Sequence, residues 1–193
     1  MNFTGVKKFI LQKLKDDLPT HLSYHSIFHV KDVLQAATTL GKSEKLNSSD
    51  LTLLKTAALF HDSGFLFGPK DHELKSCDIA RKYLPEFGYD DTQIDKICGM
   101  IMATRIPQTP KNHLEEILAD ADLDYLGRDD FFEISNFLFG EMKFFGVIHD
   151  EDDWNRIQVK FFEAHHYFTD TAIMNRKPQK EKYLEIIKEK LNH

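Results

Sequence analysis

Residues 51–64 read LTLLKTAALFHDSG. Leu51, Leu54 and Ala58 repeat at three or four residues, the spacing of one face of a helix. His61 falls on the inner end of that stripe, and Ser48-Ser49-Asp50 supplies a start signal just before it. Asp62 follows where the helix is ending and the backbone can turn both side chains toward one point. An imidazole and a carboxylate at the mouth of a buried helix can hold a divalent ion. The pair alone is weak evidence, because roughly one His-Asp dipeptide is expected by chance in a chain of this composition. A second one, His149-Asp150, stands before the acidic run Glu151-Asp152-Asp153 with no apolar helix behind it, and reads as a solvated loop and helix N-terminus.

Outward from this stretch the spacing stays helical. Helices are predicted near 4–17, 26–41, 49–61, 71–84, 90–103, 112–126, 129–145, 151–168 and 178–191, the last with Pro178 in its first turn. No segment sustains period-two alternation, so no strand is predicted. The expected fold class is all-α, a single domain over 1–193. Phe131-Phe132, Phe137-Phe139 and Phe144-Phe145, at helical spacing, are expected to pack in the core. Trp154, His165, His166 and Tyr167 read as core or surface residues before they read as pocket lining.

Composition bounds the function. The chain has 193 residues, 41% of them hydrophobic, with a net charge of −6. That charge argues against a partner of the nucleic-acid type, whose backbone calls for a basic surface. No stretch approaches the ~20 apolar residues of a membrane span, so no membrane partner is expected either. Cys77 and Cys98 form no C-x-x-C pair and are too few to staple the chain, which points to a reducing cytoplasm.

Three predicted helices carry candidate ligands on their inward faces. His29 shares a face with Val33, Ala36/Ala37 and Leu40; His61 and Asp62 close the next helix. Among the downstream acids, Glu116, Asp120 and Asp124 recur every fourth residue, as a solvated acidic stripe would. Asp122 lies with Leu118 and Tyr125 on an apolar face, and is the expected ligand, with Asp120 the fallback. Two imidazoles and two carboxylates suit Mn, Fe, Co, Ni, Zn or Mg. Each residue alone has a plainer reading as a hydrogen-bonded core group, but a shared ion removes the cost of burying two acids at once.

Tyr24-His25-Ser-Ile-Phe-His29-Val, Ala57-Ala-Leu-Phe-His61-Asp62-Ser-Gly64-Phe and Asp120-Ala-Asp122-Leu-Asp-Tyr-Leu-Gly127 together resemble the HD-domain superfamily of metal-dependent phosphohydrolases. The resemblance covers about 20–130 and implies an HD-type helical bundle, with helices of 131–193 packed on that core. It implies one divalent metal ion per chain, held by His29, His61, Asp62 and Asp122, and hydrolysis of a phosphate ester of a small molecule, most often a nucleotide. Di-iron oxygenases and non-catalytic nucleotide sensors on the same scaffold are the alternatives. Tyr24-His25-x-x-x-His29 is similar to the element of cyclic-nucleotide phosphodiesterases in which the first His protonates the leaving oxygen, which makes His25 a candidate general acid. Asp71-His72-Glu73-Leu74-Lys75-Ser76 resembles the His-Glu stretch whose His binds a second ion in two-metal members. Thr104 stands where those members have a further His, so a single tightly held ion is expected, with His72 free to contact phosphate.

The remaining assignments follow from that chemistry. Asp62 is expected to orient the attacking water as well as ligate, His25 or His72 to donate the leaving-group proton, and Glu73 to fix the tautomer of His72. Lys75, Arg105, Arg128 and Thr104 are candidate substrate-binding residues, with exposed cations and a backbone-bonded hydroxyl as their plainer readings. Whether the chain forms a homodimer is left open.

Overall fold

A computed structural model describes residues 1–191. Its helices are α1 (Phe3–Asp17), α2 (Ile27–Ser43), α3 (Ser48–Phe60), α4 (His72–Tyr83), α5 (Asp91–Ala103), α6 (His113–Asp122), α7 (Phe131–Phe144), α8 (Glu151–Ala164) and α9 (Asp170–Lys190). Short 3-10 turns at Ser63–Phe67, Leu84–Phe87 and Asp124–Gly127 join some of them, and no strand occurs among the described residues.

α3 is the axis. Leu54, Ala57, Ala58, Leu59 and Phe60 are fully buried, and α1, α2, α5 and α6 pack around them. Hence the near-continuous apolar run of 51–60: this helix has almost no solvent face, and each large side chain so buried stabilises by roughly 1.5–3 kcal/mol. Local signals set the starts. The Asn47 side chain accepts from Asp50 N, and Asp90 and Gln93 form a reciprocal capping box at α5. Asp150 caps α8 by accepting from Asp153 N, in keeping with the reading of the second His-Asp pair. A second apolar cluster joins Tyr24, Tyr125, Phe131, Phe162, Tyr183 and Ile187, tying α7, α8 and α9 to the turn after α6.

Three expectations are corrected. α9 begins at Asp170 rather than near 178, because Thr169 caps it by accepting from Ala172 N, and Pro178 lies inside the helix. The proline ring removes one backbone donor, but Pro178 and Met174, four residues before it, are both exposed, so water can satisfy the freed carbonyl. α6 ends at Asp122 rather than running to 126. The tighter turn at Asp124–Gly127 then breaks the four-residue period that grouped Glu116, Asp120 and Asp124. Asp120 and Asp124 are buried, not solvated. Finally, the α7 phenylalanines are not uniformly core: Phe131 is buried, whereas Phe137, Phe144 and Phe145 are exposed.

Candidate active site

The end of α3 is shaped by the turn that follows it. Ser76 Oγ, from α4, donates to His61 O (2.7 Å) and accepts from Gly64 N (2.8 Å), which pins the chain as it reverses after Asp62. Gly64 is required there: a Cβ would stand 1.9 Å from His72 O. His61 Nδ1 lies 2.9 Å from Ala58 O, so it carries the proton and leaves the Nε2 lone pair facing inward.

Three groups converge on that lone pair. His61 Nε2 lies 3.2 Å from His29 Nε2, 3.2 Å from Asp62 Oδ2 and 3.3 Å from Asp122 Oδ1. His29 Nε2 lies 3.4 Å from Asp62 Oδ2 and 3.2 Å from Asp122 Oδ1. Donors bound side by side to one ion at about 2.0–2.3 Å are spaced roughly 3.0–3.4 Å apart, a spacing that His29, His61 and Asp122 meet, all three lying within 4.8 Å of one another; Asp62 reaches both imidazoles but stands outside that trio, so it would join the same ion only after a small shift. The electrostatics agree. Burial by itself would raise both acids, but the imidazoles hold Asp62 well below the usual carboxylate range and Asp122 at about 2. Burial in turn works against positive charge on the rings, yet the two carboxylates raise His29 and His61. A buried nest with two anions calls for compensating positive charge, and a divalent ion provides it in one step.

Asp120 is not part of the cluster. It faces the opposite side of α6, where Phe168 N (2.9 Å), Thr169 N (2.8 Å) and Thr169 Oγ1 (2.7 Å) donate to it. Burial pushes its carboxyl up to about 6 even so. Its role is to anchor the α8–α9 connection, and the fallback assignment as a ligand is withdrawn.

His25 and His72 flank the cluster. The ring of His25 stacks on Phe65 at 3.9 Å between centroids, and its Nδ1 is hydrogen-bonded to Glu141 Oε1, leaving Nε2 for the adjoining cavity. Glu141 Oε2 also accepts from Tyr24 N (2.9 Å) and His25 N (3.1 Å). Sequence reading missed Glu141. Its signal was an acid at the end of the apolar stripe Phe131, Ser135, Leu138 of α7. His72 Nε2 reaches Asp62 Oδ1 at 3.4 Å, while its Nδ1 is 3.1 Å from Pro69 O. The Pro69 carbonyl, not Glu73, therefore sets the tautomer of His72. Glu73 stands 3.5 Å from Nε2, and its Oε2 is 3.4 Å from Arg105 Nε.

The expected phosphate clamps are elsewhere engaged. Lys75 Nζ donates to Phe67 O and Gly68 O, Arg105 pairs with Asp71 and Glu73, and Arg128 is held by Asp32, Asp124 and Asp130. None of the three lines the cavity beside the cluster; Thr104 does, although its hydroxyl donates to Ile101 O. Trp154 lines it too, while His165 and His166 lie on neighbouring surfaces. No described helix is long and apolar enough to cross a membrane.

Comparison with known proteins agrees with this architecture. The family model described as the HD domain matches residues 27–124. No curated protein matches. A predicted HD superfamily hydrolase from an uncultured Thermotogales bacterium is 21% identical, covering 96% of this chain and 91% of that one, with a TM-score of 0.64. A Lactobacillus plantarum protein is 18% identical, covering 99% and 97%, with a TM-score of 0.68. Bacillus subtilis YpgQ, solved in complex with ADP, is 18% identical, covering 97% and 94%, with a TM-score of 0.67. At these identities the likeness is one of fold; the family match spans half the chain and carries the His29, His61-Asp62 and Asp122 positions. This chain belongs to the HD-domain family.

Proposed function

We propose that the protein is a metal-dependent phosphohydrolase that cleaves a phosphate ester of a small molecule, a nucleotide in its finer form. The observation that carries this reading is the convergence of His29, His61 and Asp122, with donor atoms 3.2–3.3 Å apart, and of Asp62, 3.2–3.4 Å from both imidazoles, at one end of a cavity. His29, His61, Asp62 and Asp122 would hold one divalent ion. Bound there, such an ion supplies Lewis acidity toward a phosphoryl oxygen and acidifies a water.

The chain's own groups do the rest. Asp62 turns Oδ2 into the cluster and Oδ1 toward His72, so it orients a water as well as ligating. His25, with Nδ1 committed to Glu141 and Nε2 free in the cavity, is placed to hand a proton to a leaving oxygen. Burial opposes charge on His72, but Asp62 and Glu73 raise its pKa, which suits it to contact an anionic phosphoryl group. The nucleotide form draws support from the ADP bound by the Bacillus subtilis relative. Two buried free thiols fit a cytoplasmic setting.

The test is metal analysis of the purified protein beside a screen of phosphate esters, including nucleotides, with added Mn or Co. Asp62→Ala is expected to lose bound metal and hydrolysis together while its helical circular dichroism is retained. Hydrolysis that survives metal-free in that variant refutes the assignment.

A further inference from the structure

A cavity of about 270 Å³ runs from the four-donor cluster to the space between α7 and α8. One end presents His29, Asp62 and Asp122; the other is walled by Phe131, Leu138, Trp154, Ile157 and Phe161. Those walls lie beyond residues 27–124, outside the segment that the family model matches. Among the described residues no Lys or Arg lines the cavity, so anionic charge can be matched only at the cluster end.

Among the described residues a single side-chain amide interrupts the apolar wall. Gln158, one turn from Trp154 on the same face of α8, is 7% exposed. Its Oε1 accepts from Ser135 Oγ at 2.9 Å, and its Nε2 has only a long 3.4 Å contact with Asn155 Oδ1. A primary amide offers two donor protons and two acceptor positions. At least one of each therefore remains for whatever enters.

Three occupants can be compared. A sugar or polyol would set hydroxyls against Trp154, Ile157 and Phe161 without partners, which is costly. An acyl chain would leave the Gln158 amide unanswered. A flat heteroaromatic ring offers faces to the aromatic wall and a donor–acceptor edge to the amide.

We propose that this chamber seats a heteroaromatic ring of the nucleobase class borne by the phosphate ester, with Trp154 and Gln158 determining which esters are accepted. Only the placement of the phosphoryl group at the cluster rests on the phosphohydrolase reading. Trp154 is the single Trp of the chain, so its emission reports the chamber directly, whether or not turnover occurs. The experiment titrates the intact protein with the nucleoside 5′-monophosphates and with ribose 5-phosphate, reading Trp154 fluorescence, and assays hydrolysis of the same esters with Mn in parallel.

At least one nucleotide is expected to quench saturably, with a Kd at least about tenfold below that of ribose 5-phosphate, and Gln158→Leu should weaken that nucleotide by about tenfold while leaving ribose 5-phosphate unchanged. Quenching by no nucleotide, or equal binding of ribose 5-phosphate, overturns the proposal. Hydrolysis of ribose 5-phosphate as efficient as that of every nucleotide also overturns it, while leaving the phosphohydrolase reading intact. Selective quenching with no ester hydrolysed supports the chamber and removes the enzymatic reading instead.

Discussion

Replacing Glu141 by Gln tests whether His25 donates the leaving-group proton. Glu141 is 2% exposed, and burial alone would raise its carboxyl. The bond from His25, its charge, and the amides of Tyr24 and His25 hold it below the usual range, so it is an anion near neutral pH. Gln keeps the shape, and its single oxygen can still accept from both backbone amides. What changes is the atom facing His25 Nδ1, which becomes an NH2 group. The imidazole must then offer Nδ1 as an acceptor, and positive charge on the ring loses its counterion. A charge-assisted hydrogen bond exceeds a neutral one by about 1–2 kcal/mol. That converts to roughly a 5- to 30-fold loss in kcat/KM for an ester whose leaving oxygen must be protonated.

The discriminating measurement compares two leaving groups. An alkyl phosphate departs as an alkoxide and needs the proton; para-nitrophenyl phosphate departs as a stable anion and does not. Glu141→Gln should therefore show the full loss on the alkyl ester and less than about a threefold loss on the nitrophenyl ester. Both enzymes should melt within a few degrees of each other. Equal losses on the two esters would refute the assignment, and would leave Glu141 as a structural tie between α7 and the 24–25 turn.

Two further outcomes follow from the buried polar groups. Asp120→Ala leaves Phe168 N, Thr169 N and Thr169 Oγ1 without their acceptor, a cost of about 2–4 kcal/mol after allowing for the acid's own relieved burial. A Tm drop of about 5–15 °C in calorimetry is expected, with metal stoichiometry of the folded protein unchanged; loss of the metal at full stability would return Asp120 to the ligand set. Among the described residues neither ring nitrogen of His165 has a partner, and burial, with Lys180 nearby, lowers its pKa to about 3. The unfolded chain takes up that proton below about pH 6.5 and the folded one does not, so this residue removes about 1.4 kcal/mol of stability per pH unit between pH 6.5 and 3. His165→Phe, which can keep the stack on Phe161, should flatten the acid limb of a stability–pH curve. An unchanged slope would show that His165 is protonated in the fold.

The convergence of the candidate ligands was legible because each residue is tied to a local pattern. His29 opens one apolar stripe at helical spacing and His61 closes another, and Asp62 follows directly. Choosing between Asp120 and Asp122 required only the direction of one helix face, since Asp122 shares its side with Leu118 and Tyr125. The roles of Lys75, Arg105 and Arg128 were not legible. A cation's position along the chain says nothing about which carboxylate will reach it first, and Asp71, Asp32 and Asp130 claim Arg105 and Arg128 across the surface.

The chamber was hidden for a different reason. An apolar stripe on α7 or α8 looks the same in sequence whether its neighbour is another side chain or a cavity, because spacing records which face avoids water and not what fills the far side. Phe131 and Phe137, six residues apart, stand roughly 120° from each other around α7, and one is 1% exposed, the other 49%. The turn at Asp124–Gly127 carries Tyr125 and Leu126 to one side of the cavity, and Gly127 lets it press so close to α9 that a Cβ would lie 2.3 Å from Arg176 O. That approach ties the turn carrying Tyr125 and Leu126 to α9. This side of the cavity thus depends on a backbone contact between residues 127 and 176, which no periodicity within either segment encodes.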